Sequence, residues 1–361
     1  MRRSAALLLG LAVLTAPAAA QVDPRNALLE RSGWDAVAAG NAHAAAEAFR
    51  SAITADPKNA SLHLGAGVAA YLERRDADAK LALERALDLD PKLSDARVLL
   101  GQVLYRMGDT VTAMRVIERA ASEAPADARL ADILGRWRRE ADLHDRMQQS
   151  INERFTVSFE GPEESTIAAQ ALSSLDRAYW RIGEALSTYP NRPISVVLYT
   201  GEQFHDITRS PAWAAASYDG RIRVPMRGAL DNTTELDRVL AHEFVHALVS
   251  TLAPRNVPTW LNEGLASALE ANSLDWARDR LEHAAAPVSL TALRTSFGRL
   301  TGGQAQVAYA TSALAVSRLL AEANGFAMAN LLRDLGDGVD FDEAFLHRMQ
   351  RPFAAFVDRV N

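Results

Sequence analysis

The chain has 361 residues, 48% hydrophobic and 23% charged, enough for two domains with cores of their own. It has no cysteine, which excludes a disulfide framework, a thiolate zinc site, a cysteine nucleophile and a cysteine-linked lipid anchor. A net charge of −6 gives no electrostatic ground for nucleic acid or an anionic membrane as partner.

Arg2 and Arg3 precede a mostly apolar run from Ala5 to Ala16, and Pro17-Ala18-Ala19-Ala20 offers a small-residue cleavage site before Gln21. That order is expected of a secretory signal peptide over residues 1–20. The run is short for a membrane span. With it removed, no remaining segment is expected to cross a bilayer, and the chain is expected to be exported, either periplasmic or secreted.

Residues 21–150 repeat with a period of 34. Pro57, Pro91 and Pro125 keep it, as do Gly33, Gly67, Gly101 and Gly135. So do Ala45, Ala79 and Ala113, then Ala52, Ala86 and Ala120, and then Phe49, Leu83 and Ile117. This is the period of tetratricopeptide repeats, paired antiparallel helices that stack into a solenoid. Three full repeats are expected, followed by a charged capping helix from Ala128 to about Gln149. The concave face of such a solenoid suits a protein partner, and the plainer reading is a docking arm.

At Ile151 the composition changes, and residues 151–361 read as a second domain. Phe155–Phe159 alternates as a strand, Glu163–Leu186 reads as a long helix, and Ile194–Tyr199 as another strand. Ser217–Val224 reads as a hairpin, because Asp219-Gly220 suits a tight turn. Asn232 and Glu235 have the spacing of a capping box for the helix that follows, and beyond it the chain reads as almost wholly helical. The expected class is mainly α: a helical solenoid followed by an α+β domain.

The helix begun at Asn232 carries His242-Glu243-Phe244-Val245-His246. Positions i and i+4 share a helix face, so His242 and His246 can aim two imidazoles at one metal ion. Catalytic zinc takes three protein ligands and keeps one position open, and Glu263, seventeen residues after His246, is the natural third. Glu243 stands next to the first ligand, where its carboxylate can act as a base on water. Of the other histidines, His43, His63, His144, His205, His283 and His347 have no such spacing and are expected at the surface or rim.

Together with Trp260-Leu261-Asn262-Glu263-Gly264-Leu265-Ala266, this motif resembles the gluzincins, the metallopeptidase clan of thermolysin and the aminopeptidase N type. The second block is similar to the glutamate-ligand helix of the aminopeptidase N type. The whole chain resembles the bacterial peptidase MA-like proteins, which are often fused to tetratricopeptide repeats. The resemblance implies a gluzincin-type metallopeptidase domain with one zinc ion (Zn2+) per chain in a cleft, acting on a peptide or protein substrate. It implies that Tyr309 donates to the oxyanion. It implies that Glu270, one helix face with Glu263, steadies a ligating imidazole, and Asn262 is a further candidate for that task. Aminopeptidases of this type carry a Gly-Ala-Met-Glu-Asn strand that grips the free amine. No such sequence occurs here, and Ser217–Val224 has no glutamate, so an endopeptidase is expected. The alternative is a non-catalytic scaffold in which the repeats bind the partner and the zincin domain is a relic.

Overall fold

The computed structural model of the chain describes residues 24–161, 165–200, 202–204, 217–218, 220–225, 233–254, 256–284, 286, 288–294, 297 and 300–360. The expected signal peptide, Glu163, His205, Asp219 and Asn232 lie outside the described residues.

Six helices make three antiparallel pairs: α1 (Pro24–Ala38), α2 (Ala42–Ala55), α3 (Ala60–Leu72), α4 (Asp76–Leu89), α5 (Ser94–Arg106) and α6 (Thr110–Glu123). The repeated glycines explain the pairing. A Cβ on Gly33 would lie 2.7 Å from Phe49, one on Gly67 2.7 Å from Leu83, and one on Gly101 2.5 Å from Ile117. Each first helix thus leaves a hole that one large side chain of the second helix fills. The alanines at 45, 79 and 113, and at 52, 86 and 120, are buried in the same seams. Asn41 and Asp109 cap α2 and α6 through side-chain oxygens.

α7 (Ala128–His144) closes the array, with Leu130, Leu134, Trp137 and Leu143 buried. Tyr105 of α5 stacks on Trp137 at 4.2 Å between ring centroids. The capping helix expected to reach about Gln149 ends at His144. Met147–Ile151 instead forms strand β1, antiparallel to β2 (Phe155–Glu160), with Met147 opposite Glu160 and Ile151 opposite Thr156. Pairing with the strand that follows, in a hairpin closed by Asn152 N donating to the Phe155 carbonyl at 3.0 Å, overrides a local pattern that reads as helix.

The second domain is built on a mixed sheet of order β1-β2-β3-β5-β4, with β3 at Ile194–Tyr199, β4 at Ser217–Tyr218 and β5 at Ile222–Pro225. β2, β3 and β5 run parallel, and β4 pairs antiparallel with β5, as expected of a hairpin. Gly220 in the connection has φ 108°, a conformation glycine adopts freely. α8 (Ser165–Leu186) and α9 (Thr233–Leu252) share one core with the strands, including Val157, Leu175, Val196, Ile222 and Phe244. Then come α10 (Thr259–Leu269), α11 (Asp275–Glu282), α12 (Gly302–Gly336), α13 (Phe341–Met349) and α14 (Phe353–Val360). α12 bends at Asn324, whose φ is 67°. No helix among the described residues is long and apolar enough to cross a membrane.

A buried polar joint binds the two parts. Glu140 of α7 (2% exposed) and Arg223 of β5 (3% exposed) lie 2.7 Å apart. Arg223 also donates to the Tyr199 hydroxyl at 2.6 Å, and Tyr105 donates to Glu140. Leu143 of α7 packs with Val197, Tyr199 and Phe204. Such a pair survives burial only with its remaining hydrogen bonds made, and this one has them.

Candidate metal centre

α9 points two imidazoles the same way. The rings of His242 and His246 are 4.8 Å apart between centroids. α10 runs alongside, held close by Gly264. A Cβ there would lie 2.6 Å from the Ser312 carbonyl oxygen of α12 and 2.8 Å from Val316. That approach brings Glu263 against α9 and faces it with Tyr309 of α12. Glu263 Oε2 is 3.7 Å from His242 Nε2 and 3.6 Å from His246 Nε2. One ligand atom from each of the three residues lies within 4.8 Å of the other two, the one such metal-ready cluster among the described residues.

Zinc bonds of about 2.0–2.2 Å in tetrahedral geometry put ligand atoms roughly 3.4 Å apart, so these separations suit zinc with little adjustment. The far side of each imidazole is tied. Glu270 Oε2 is 2.7 Å from His242 Nδ1, and Asn262 Oδ1 is 3.1 Å from His246 Nδ1. Each Nδ1–H therefore donates outward, so Nε2 is the nitrogen of each ring that faces Glu263. Glu243 is buried, and its Oε2 meets no hydrogen-bond partner. The donor set and the orphaned carboxylate oxygen both fit a zinc ion with a water beside it.

The electrostatics follow the same layout. Burial opposes charge on His242, but the Glu263 and Glu270 carboxylates outweigh it and raise its pKa to about 10. Burial penalises the charge on Glu263, yet the two imidazoles outweigh that and hold it below the usual carboxylate range. Burial raises the Glu243 pKa, against the pull of His246 and His242. Tyr309, within reach of Glu263, is pushed well above the ordinary phenol value by burial and then by the surrounding carboxylates. Its ring rests edge-on against Phe297 at 5.3 Å.

All seven residues singled out in the sequence thus meet at one place. Arg238, one turn before His242, was not among them. It joins Glu270 at 2.8 Å and Glu235 at 2.5 Å, so it anchors the carboxylate that steadies His242. Its signal was the spacing of Glu235, Arg238 and His242 along one helix face. The repeats, expected as a partner-binding face or a docking arm, also reach the metal cluster, since Leu72, Arg74, Asp76 and Arg106 line the same cleft. That cleft, about 1210 Å3, is also lined by Trp276, Arg280 and Tyr218.

Two family models, both described as tetratricopeptide repeat, match residues 31–94 and 71–136. The N-terminal region is a tetratricopeptide array. Among solved structures, the chain is similar to the first TPR of Spaghetti (RPAP3) bound to the HSP90 peptide SRMEEVD. The identity is 18%, the TM-score 0.32, and the match covers 33% of this chain and 96% of that one. No curated protein matches the chain. Tetratricopeptide arrays are protein-interaction modules, and the metal cluster lies beyond the matched residues.

Proposed function

We propose that this chain is a zinc-dependent metallopeptidase of the gluzincin type, an endopeptidase, whose repeats take part in recruiting the protein substrate. The observation that carries the reading is the convergence of His242, His246 and Glu263 within 4.8 Å, with the Glu243 carboxylate buried beside them. His242, His246 and Glu263 would hold the ion, which supplies Lewis acidity toward a peptide carbonyl and acidifies water at neutral pH. Glu243 Oε2 takes the proton of the attacking water and returns it to the leaving amine nitrogen. Tyr309 donates its hydroxyl proton in a hydrogen bond to the developing oxyanion. Glu270, Asn262 and Arg238 keep the imidazoles oriented. β4 is an edge of the sheet and Tyr218 lines the cleft, so an extended peptide can add to that edge. In this reading the enzyme acts after export, in a periplasm or outside the cell.

A second reading has its own support. The family matches fall on the repeats alone, which favours an interaction protein whose second domain does not turn over substrate. Zinc analysis with casein turnover separates the two. One zinc per chain and casein cleavage abolished by Glu243→Gln support the peptidase. A zinc-loaded wild-type chain with no turnover, yet able to bind partner, supports the scaffold.

A further inference from the structure

The turn inside each repeat contains one left-handed residue, and these recur at the 34-residue period: Gly40 (φ 75°), Arg74 (φ 58°) and Gly108 (φ 87°). Glycine adopts this conformation freely, whereas a side chain there is strained. The second repeat alone carries the strain, and of the three turn residues only Arg74 lines the cleft of the metal cluster. Strain retained at one repeat and opening on a site points to a task for that side chain.

Charge and exposure indicate the task. The other arginines of the cleft near the cluster are engaged: Arg106 with Asp76 at 2.8 Å, Arg238 with Glu235 and Glu270. Arg74 and Arg280 face the cleft with no ion-pair partner among the described residues. Each stands beside a large apolar side chain left exposed, Leu72 (47%) next to Arg74 on the repeats and Trp276 (39%) next to Arg280 on α11. A guanidinium fork binds a carboxylate in two parallel hydrogen bonds, and an adjacent apolar surface takes the neighbouring side chain of a chain lying across it.

We propose that the second repeat forms a substrate subsite of the metal cleft, in which Arg74 binds a carboxylate of the peptide and Leu72 packs against the apolar residue beside it. This rests on the metallopeptidase reading. The repeats then select substrate at the reacting site as well as recruit it. Two sources supply a carboxylate, an acidic side chain or the C-terminus of the peptide.

Three fluorescein-labelled peptides of one length distinguish them: one with an acidic side chain and an amidated end, one with a free C-terminus and no acid, and one neutral and amidated. Binding is measured by fluorescence anisotropy on the zinc-loaded full chain carrying Glu243→Gln, with and without Arg74→Gly. The expected result is that the substitution lowers the preference for one carboxylate peptide over the neutral one by about tenfold. The peptide affected identifies the source. Glycine relieves the strained turn, so the variant should melt no lower than its parent, and the loss is not one of folding. An unchanged preference, or no preference in the parent, overturns the subsite. Failure of the wild-type zinc-loaded chain to cleave peptides that it binds would instead overturn the metallopeptidase reading and leave the binding result standing.

Discussion

Glu270 Oε2 lies 2.7 Å from His242 Nδ1, and that contact decides which nitrogen of the ring faces Glu263. Arg238, at 2.8 Å from the other Glu270 oxygen, fixes the carboxylate in turn. Loss of such a partner costs a metal site about 10–100-fold in affinity. Glu270→Ala should therefore weaken zinc binding by that factor while leaving all three ligands in the chain. Competition with a chelator of known affinity measures it, and wild-type affinity in the variant would dismiss the role.

Glu243 and Glu263 differ in what they touch, and their amide variants should differ likewise. Glu243→Gln should retain one zinc per chain and lose about two to four orders of magnitude in turnover. Glu263→Gln should release the metal. Elemental analysis beside a peptide assay checks both, and variants that behave alike would merge the two roles.

Tyr309 keeps its ring against Phe297 whether or not it has a hydroxyl. Tyr309→Phe should lower kcat and kcat/KM together, by roughly a hundredfold, with zinc content and melting temperature nearly unchanged. Intact kcat would pass the donor role to another group, with Tyr218 the next candidate on the cleft wall.

Gly264 sets the spacing of α10 on α12. Gly264→Ala drives a Cβ into the Ser312 carbonyl oxygen, a backbone atom that cannot turn aside. Overpacking of this kind costs about 1–3 kcal/mol, and because Glu263 rides on the same turn, zinc affinity should fall with stability. Denaturant titration and metal competition on one sample would show both. Loss of stability without any change in zinc binding would separate the packing from the site.

The joint between the repeats and the sheet makes a further prediction. Arg223→Met leaves the buried Glu140 carboxylate without its guanidinium partner, which costs about 3–5 kcal/mol, and adding Glu140→Leu should recover much of it. His144, beside the pair, has a depressed pKa through burial, opposed by Glu140 and reinforced by Arg221 and Arg223. A depressed imidazole pKa means that stability present above about 6.5 is lost as pH falls through the folded-state value. Denaturant midpoints from pH 8 to pH 5 should fall less in His144→Gln than in wild type. A fragment starting after residue 146 exposes the apolar surface that Leu143 covers and should be less stable than the full chain.

What the sequence determined was whatever depends on spacing along one element. A period of 34 with glycine set against Phe49, Leu83 and Ile117 specifies paired helices, because each hole and its filler lie sixteen residues apart in every repeat. His242 and His246 share a face on any helix, and alternation from Phe155 to Phe159 makes a strand on any sheet. Tertiary structure decided what depends on residues far apart in sequence. Arg238 acquired its place because the end of α10 brought Glu270 to it, 32 positions on. The repeats became a wall of the metal cleft because Glu140 met Arg223 across 83 positions of chain. No periodicity encodes a contact of that kind, since it is fixed by how two cores dock and by the closure of the polar groups buried between them.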